Sequence, residues 1–364
     1  MRYSPFRHLG SIFWKNQPIQ LTFFVTRRCN ARCPFCFYLS RKPDEGESAE
    51  QGELSLAEIT KVADSLGSLL WLAFSGGEIF LRQDLVDITR IFYTRNRPAI
   101  ILLPTNGLLS ELIRERTEEI LQACPQSSVV VKLSLDGPEE VHDRIRGVAG
   151  AYRKMLATYA ELVPLLKRYP NFELGVNTVF CSANQERMDE VIDLANGLPE
   201  IRTHTISLIR GEVAAGDLKA IDLGLYMKAI ARLEKQLKSR DAGIYGFLGG
   251  RLKAAQDILQ RRIIYRTAME NRYQIPCFAG RLNLVLSETG DFYPCESFSR
   301  DMRLGNVRRD GYDLRNILER PASREIIKGI SANRCFCTHE CYVMTNILFN
   351  PIMHPALLRE YVQL

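Results

Sequence analysis

Apolar positions along the chain follow two alternating patterns. Short β-branched runs stand at residues 21–25, 69–74, 100–103, 129–135, 174–180 and 205–209. Between them, at 56–66, 85–93, 109–121, 152–167 and 188–195, apolar residues recur at helical spacing. Near-continuous apolar strands separated by amphipathic helices predict a parallel sheet covered on both faces. Such strand–helix units, ending at residue 215, are too few to close an eight-stranded barrel. The pattern therefore predicts an open, partial (β/α)6 barrel of α/β class over residues 21–215, after a lead-in of residues 1–20. In parallel α/β folds, reactive groups gather at the C-terminal ends of strands. A group of cysteines, Ser75-Gly76-Gly77-Glu78, Thr105-Asn106-Gly107 and Asp136-Gly137 all stand there.

The texture changes near Gly216. Tyr226, Ile230, Leu233 and Leu237 repeat at helical spacing, and a second helix is expected over 251–269. Residues 216–275 carry twelve Lys and Arg against six Asp and Glu, an excess equal to the net charge of +6 of the whole chain. A positive surface can meet an anionic substrate or lipid headgroups. The simpler reading of this basic helical connector is a solvated helix face. Aromatic and basic residues do not interleave, so no nucleic-acid partner is expected. Residues 282–286 and 291–293 predict a β-hairpin around Glu288-Thr289-Gly290, opening a small α+β domain over 276–345. The apolar tail, 346–364, is read as packing on the barrel, with membrane-surface contact or dimerisation as alternatives.

At 46% apolar and 25% charged residues, the 364-residue composition excludes a disordered chain and a collagen-like repeat. No apolar run approaches the roughly 18 residues of a transmembrane segment. The N-terminus lacks a signal-peptide core and cleavage site, so a cytoplasmic location is expected, with peripheral membrane contact allowed. Ten cysteines in a reducing compartment need an explanation other than disulfides. Cys29, Cys33 and Cys36 cluster early, and Cys277, Cys295, Cys335, Cys337 and Cys341 gather late. The isolated Cys124 and Cys181 read as small buried hydrophobes.

Cys29, Cys33 and Cys36 have C-x3-C-x2-C spacing directly after the first strand. Three thiolates on one short loop can hold three corners of a cubic iron–sulfur cluster and leave one iron open to a small chelating molecule. Zinc is the rival, but a structural zinc site wants a fourth local ligand, and no Cys or His lies between Cys36 and Cys124. This loop resembles that of the radical S-adenosylmethionine (SAM) superfamily. The resemblance implies a SAM-binding 4Fe–4S cluster, whose reduction cleaves SAM to a 5′-deoxyadenosyl radical that abstracts hydrogen from a substrate. It also places Phe35 near the adenine. Ser75-Gly76-Gly77-Glu78 matches the family's GGE motif, with Gly76 and Gly77 letting the backbone approach a ligand and Glu78 accepting the SAM ammonium. Ser134, Asp136 and Gly137, followed by His142-Asp143 and Arg146-Gly147, resemble an S-x-D-G…H-D-x-x-R-G stretch. That likeness implies that Ser134, Asp136 and Arg146 hold the SAM ribose and carboxylate. Asn177 and Leu208 are further candidates for the nucleoside site, whereas Thr105-Asn106-Gly107 reads equally as a plain turn.

Cys277, Gly290 and Cys295 have the C-x12-G-x4-C spacing that resembles the opening of a SPASM/Twitch extension. The remaining array, Cys335-x-Cys337-x3-Cys341, is shorter than that of a full SPASM domain, which implies one auxiliary 4Fe–4S cluster. Its expected ligands are Cys277 and Cys295 with two of the last three, Cys337 and Cys341 being favoured over Cys335 on spacing. A zinc ribbon is the non-redox alternative, and His339 reads as a loop residue. By likeness to relatives that oxidise an alcohol or thiol, Glu296 is a candidate general base; a solvated loop carboxylate is its plain alternative.

The expected activity is a net two-electron oxidation at a C–H bond of a small alcohol, sugar, nucleotide-linked or lipid-linked substrate. Flavodoxin or ferredoxin would donate the electron. Only about twenty residues precede the first strand, too few for a leader-recognition domain, which disfavours a peptide. Peptide maturation or radical C–C, C–N or C–S bond formation is the alternative within the class. A non-catalytic metal-binding scaffold is the alternative outside it.

Overall fold

A computed structural model describes residues 2–41, 52–239 and 243–364. Six parallel strands open the sheet: β1 (Gln20–Phe24), β2 (Trp71–Ser75), β3 (Ile100–Thr105), β4 (Ser128–Ser134), β5 (Phe172–Phe180) and β6 (Ile201–Leu208). The intervening helices are α1 (Phe37–Ser40), α2 (Leu56–Ser65), α3 (Leu85–Asn96), α4 (Ser110–Ala123), α5 (Glu139–Arg146), α6 (Ala151–Arg168) and α7 (Met188–Asn196). Each expected strand and helix of the barrel is present, most with ends extended by a few residues because backbone pairing continues past the apolar run.

The strand pattern shows why the interior is a cavity and the exterior a core. On β4, Val129, Val131 and Leu133 join the core beneath the helices, whereas Val130, Lys132 and Ser134 face the barrel interior. Period-two alternation produces this division. Local signals set helix ends: Ser55 and Glu58 form a reciprocal capping box on α2, which satisfies otherwise orphaned N–H groups.

Three expectations about organisation change. First, the late hairpin, β7 (Asn283–Leu286) and β8 (Asp291–Tyr293), does not build a separate sheet. It joins the barrel through parallel pairing of β7 with β1, as in Leu21↔Leu284, and ends in β9 (Gly305–Asn306). The described sheet runs β6-β5-β4-β3-β2-β1-β7-β8-β9, so the boundary near residue 276 is not a break in the sheet. Second, the basic connector is not simply a solvated face. Its helices α8 (Leu223–Ser239) and α9 (Gly250–Glu270) bury Tyr226, Ile230 and Leu233, and also the polar Gln256, Asp257 and Gln260. Arg261 of α9 donates to the carbonyl of His204 (3.1 Å), placing this helix along the open β6 edge. Third, after α10 (Leu314–Glu319), α11 (Pro321–Ala332) and α12 (Glu340–Leu348), the tail forms α13 (His354–Gln363). It packs on α9 through Leu357 and an Arg262–Glu360 ion pair (2.7 Å), while Leu358 and Val362 stay exposed. Cys124 and Cys181 are buried, as expected. No helix among the described residues is long and apolar enough to cross a membrane.

Candidate functional site

The segment from Thr26 to Cys36 leaves β1 and is gripped by backbone from both sides. Gly77 N–H donates to the carbonyl of Thr26 (2.8 Å) and Glu78 N–H to that of Arg28 (2.9 Å). A Cβ at Gly76, where φ is +129°, would lie 2.4 Å from the Thr26 oxygen, and one at Gly77 would lie 2.1 Å from the Arg28 oxygen. The two glycines thus admit the cysteine loop itself. On the other side, Arg32 N–H donates to the carbonyl of Arg146 (2.9 Å).

The three thiols each receive N–H donors. Cys29 Sγ accepts from Ala31 N (3.4 Å) and Asn106 Nδ2 (3.9 Å), Cys33 Sγ from Arg146 Nη1 (3.8 Å), and Cys36 Sγ from Leu39 N (3.4 Å). Burial raises the Cys29 thiol and pushes Cys33 up to about 11. Donors aimed at sulfur favour the thiolate, the form that ligates metal. Three such sulfurs on one loop fit three corners of a cubane.

Glu78 is buried, its carboxylate accepting from Thr105 Oγ1 (2.9 Å), Asn106 N (2.8 Å) and Phe80 N (3.3 Å). Burial pushes its pKa up to about 7 against those donors. Asn106 also donates to Asn30 Oδ1 (2.7 Å). Thr105 and Asn106 therefore tie Glu78 to the cysteine loop, which corrects their reading as a plain turn.

Asp136 departs from its expected role. Its side chain is fully buried, Oδ2 facing Arg146 Nε (2.6 Å) and Nη2 (2.5 Å) and Oδ1 accepting from Val179 N (2.9 Å). With both oxygens engaged, it does not face the cavity as a ribose ligand. It orients Arg146, which reaches Cys33 and lies 5.4 Å from the Phe35 ring centre.

A cavity of about 330 Å³ fills the barrel interior. Phe35, Cys36, Ser134, Asn177 and Leu208 share it. Glu296 also enters it, so it is not a solvated loop carboxylate; it is 5% exposed. Arg210 forks between Glu296 (2.9 Å) and Glu340 (2.9 Å), and these carboxylates keep the guanidinium charged. Burial raises the pKa of Glu340, whose Oε1 has no hydrogen-bond partner. Sequence reasoning missed Arg210 and Glu340. One signal was available: Glu340 precedes Cys341 as Glu296 follows Cys295.

A second cavity, about 310 Å³, is lined by Cys277, Cys295, Cys335 and Cys337 among apolar side chains such as Met302 and Ile330. Burial raises all four thiols, Cys277 to about 11. Cys341 is absent from this lining. It sits in the first turn of α12 and faces the barrel cavity beside Glu296 and Arg210. Despite the C-x3-C spacing, Cys341 does not line this cavity with Cys337, whereas Cys335 does. His339, expected as a plain loop residue, precedes α12 and lines the second cavity. Four thiols on one apolar cavity are the number that a cubane held at four corners requires.

An open parallel barrel with a three-thiol loop after its first strand, and a four-thiol cavity beyond its last parallel strand, defines an iron–sulfur protein with an open site. The radical SAM superfamily model matches residues 23–195, and the SPASM iron–sulfur cluster-binding domain matches residues 277–342. The chain belongs to the radical SAM superfamily and carries a SPASM/Twitch-type domain, with SAM, the SAM-binding 4Fe–4S cluster and an auxiliary cluster as cofactors.

Among curated proteins it is 26% identical over 299 residues to the antilisterial bacteriocin subtilosin biosynthesis protein AlbA of Bacillus subtilis, covering 81% of this chain and 59% of AlbA. It is 28% identical over 307 residues to the AdoMet-dependent heme synthase of Methanosarcina barkeri, covering 82% of this chain and 81% of that protein. It is 30% identical over 183 residues to the PqqA peptide cyclase of Bradyrhizobium diazoefficiens, covering 49% of this chain and 43% of that protein. The fold matches that of anSMEcpe with bound AdoMet and Kp18Cys peptide, with a TM-score of 0.60, 17% identity and coverage of 95% of this chain and 100% of that one.

Proposed function

We propose that this radical SAM enzyme abstracts a hydrogen atom from a C–H bond of a peptide substrate and completes a two-electron oxidation with the help of its auxiliary cluster. One observation carries the reading: a single cavity joins Phe35 and Cys36, at the SAM-binding loop, to Glu296, beside the second group of thiols. With SAM bound, the first cluster supplies the one-electron reduction that starts hydrogen abstraction.

The chain's own residues have separate tasks. Cys29, Cys33 and Cys36 ligate the first cluster. Phe35, Ser134, Asn177 and Leu208 enclose the nucleoside, and Glu78 stands beside Cys29. After loss of the hydrogen atom, Glu296 accepts the substrate's proton; Cys277, Cys295, Cys335 and Cys337 would hold the auxiliary cluster, which would supply an acceptor for the remaining electron. Arg210 orients Glu296 and Glu340. A cytoplasmic flavodoxin or ferredoxin is the matching donor.

A peptide replaces the small alcohol, sugar, nucleotide-linked or lipid-linked substrate expected earlier, because the relatives' names point to a bacteriocin and a peptide. A tetrapyrrole is the second reading, favoured by a heme synthase match that covers 81% of that relative. The test is anaerobic reconstitution to about eight irons per chain, four per cubane, then incubation with SAM, dithionite and the peptide encoded nearest the gene. A product lighter by two hydrogens, with 5′-deoxyadenosine, is expected. Conversion of an iron–coproporphyrin and of no peptide would overturn the peptide reading.

A further inference from the structure

The barrel cavity has a charged end that the proposed chemistry does not use. Two residues back from Ser134 along β4, a rise of about 7 Å, stands Lys132, 8% exposed and lining the same cavity. Its Nζ donates to Thr203 Oγ1 (2.5 Å) and lies 3.4 Å from Thr203 O and from Thr205 Oγ1, all neutral acceptors. Room for the ammonium is built in. Gly175 stands opposite on β5, and a Cβ there would fall 2.7 Å from Nζ.

The rest of this floor comes from the connector. Lys253 pairs with Asp257, which also accepts from Tyr245 Oη (3.0 Å). The Tyr245 ring centre has Lys132 at 5.9 Å and Lys253 at 5.0 Å. Gln20, 1% exposed, lines the cavity with its Oε1 lacking any partner. Arg261 and Glu173 act on Lys132 from nearby. Of the cations lining the cavity, Lys253 and Arg210 pair with carboxylates, whereas the partners of the Lys132 ammonium are neutral oxygens. Burying such a charge is costly unless it is paired. Burial, with the nearby Lys253 and Arg261 charges, holds the Lys132 pKa down at about 7.

We propose that this floor is a binding site for a substrate carboxylate, received by Lys132, while the apolar walls direct the remainder of the substrate toward Phe35 and Cys36. The inference rests on the reading of the cavity as the substrate site and adds a chemical requirement to it. A peptide's acidic side chain or C-terminus and a tetrapyrrole propionate share that chemistry.

Calorimetry on the anaerobic, cluster-loaded full chain tests it with 4-phenylbutyrate and its uncharged amide. The acid binds at least about tenfold tighter, as a charge-assisted hydrogen bond requires. The preference disappears in Lys132→Met and shrinks in Gly175→Ala, which crowds the ammonium without removing it. Equal binding of acid and amide by the wild type, no binding of the acid, or an acid preference that survives Lys132→Met overturns the proposal. A Glu-containing pentapeptide and coproporphyrin III, titrated alongside, separate the sources: the ligand weakened by Lys132→Met supplies the carboxylate, and weakening of neither overturns the site. Formation of 5′-deoxyadenosine by the wild type needs no carboxylate and tests the functional reading independently.

Discussion

The two thiol sites of this molecule are built in opposite ways. Cys29, Cys33 and Cys36 lie within one loop, and their positions follow from backbone contacts to Gly77, Glu78 and Arg146. The second site gathers Cys277, Cys295, Cys335 and Cys337 from three segments, brought together where α12 and the hairpin meet. A local site tolerates little change in its backbone supports. A site assembled from distant segments depends on which way each element faces.

The largest effect is expected at the local site. Replacing Cys29, Cys33 and Cys36 by Ala abolishes dithionite-driven formation of 5′-deoxyadenosine; residual product in the triple variant would reject the ligand assignment. Gly77→Ala comes next, because its Cβ would overlap the Arg28 carbonyl oxygen at 2.1 Å. It lowers iron from about eight to about four per chain and removes the electron paramagnetic signal that responds to SAM. Full iron content would show that the grip on the loop is dispensable.

The assembled site is probed by a pair of variants. Cys335→Ser loses about four irons, whereas Cys341→Ser keeps them. The opposite result restores the ligand set expected from spacing alone. Asp136→Asn leaves Arg146 buried without its counter-charge and costs about 3 kcal/mol, read as a lowered Tm in SAM-free protein.

The smallest effect concerns pH. Folding raises the Glu78 pKa from 4.5 to about 7, so between these values the folded state binds the extra proton. Stability from protonated Glu78 is therefore full below about pH 4.5 and lost as pH rises through about 7. Glu78→Gln flattens this slope in SAM-free denaturation curves. An unchanged slope would show that the carboxylate does not titrate in that window.

Much of this architecture was legible beforehand because its signals are local. Alternating apolar runs marked β1 to β6, and the glycine-containing hairpin between β7 and β8 stood where expected. Other features escaped because they depend on direction. Spacing favoured Cys341, but the first turn of α12 points it into the barrel. The excess of Lys and Arg in residues 216–275 suggested a wetted face, yet Lys253 and Asp257 of α9 point into the cavity. Arg210 and Glu340 carry no motif, and only the approach of β6 to α12 unites them with Glu296.

By itself the sequence determined the kind of chemistry, because three closely spaced thiols and the strand-end motifs need only neighbouring residues to meet. Tertiary structure alone decided which thiols share the second cavity, which carboxylates clasp Arg210, and that a lysine lines the barrel cavity. Those relations join segments up to 130 residues apart, where the pleat of a strand or the turn of a helix, rather than spacing, sets what each side chain meets.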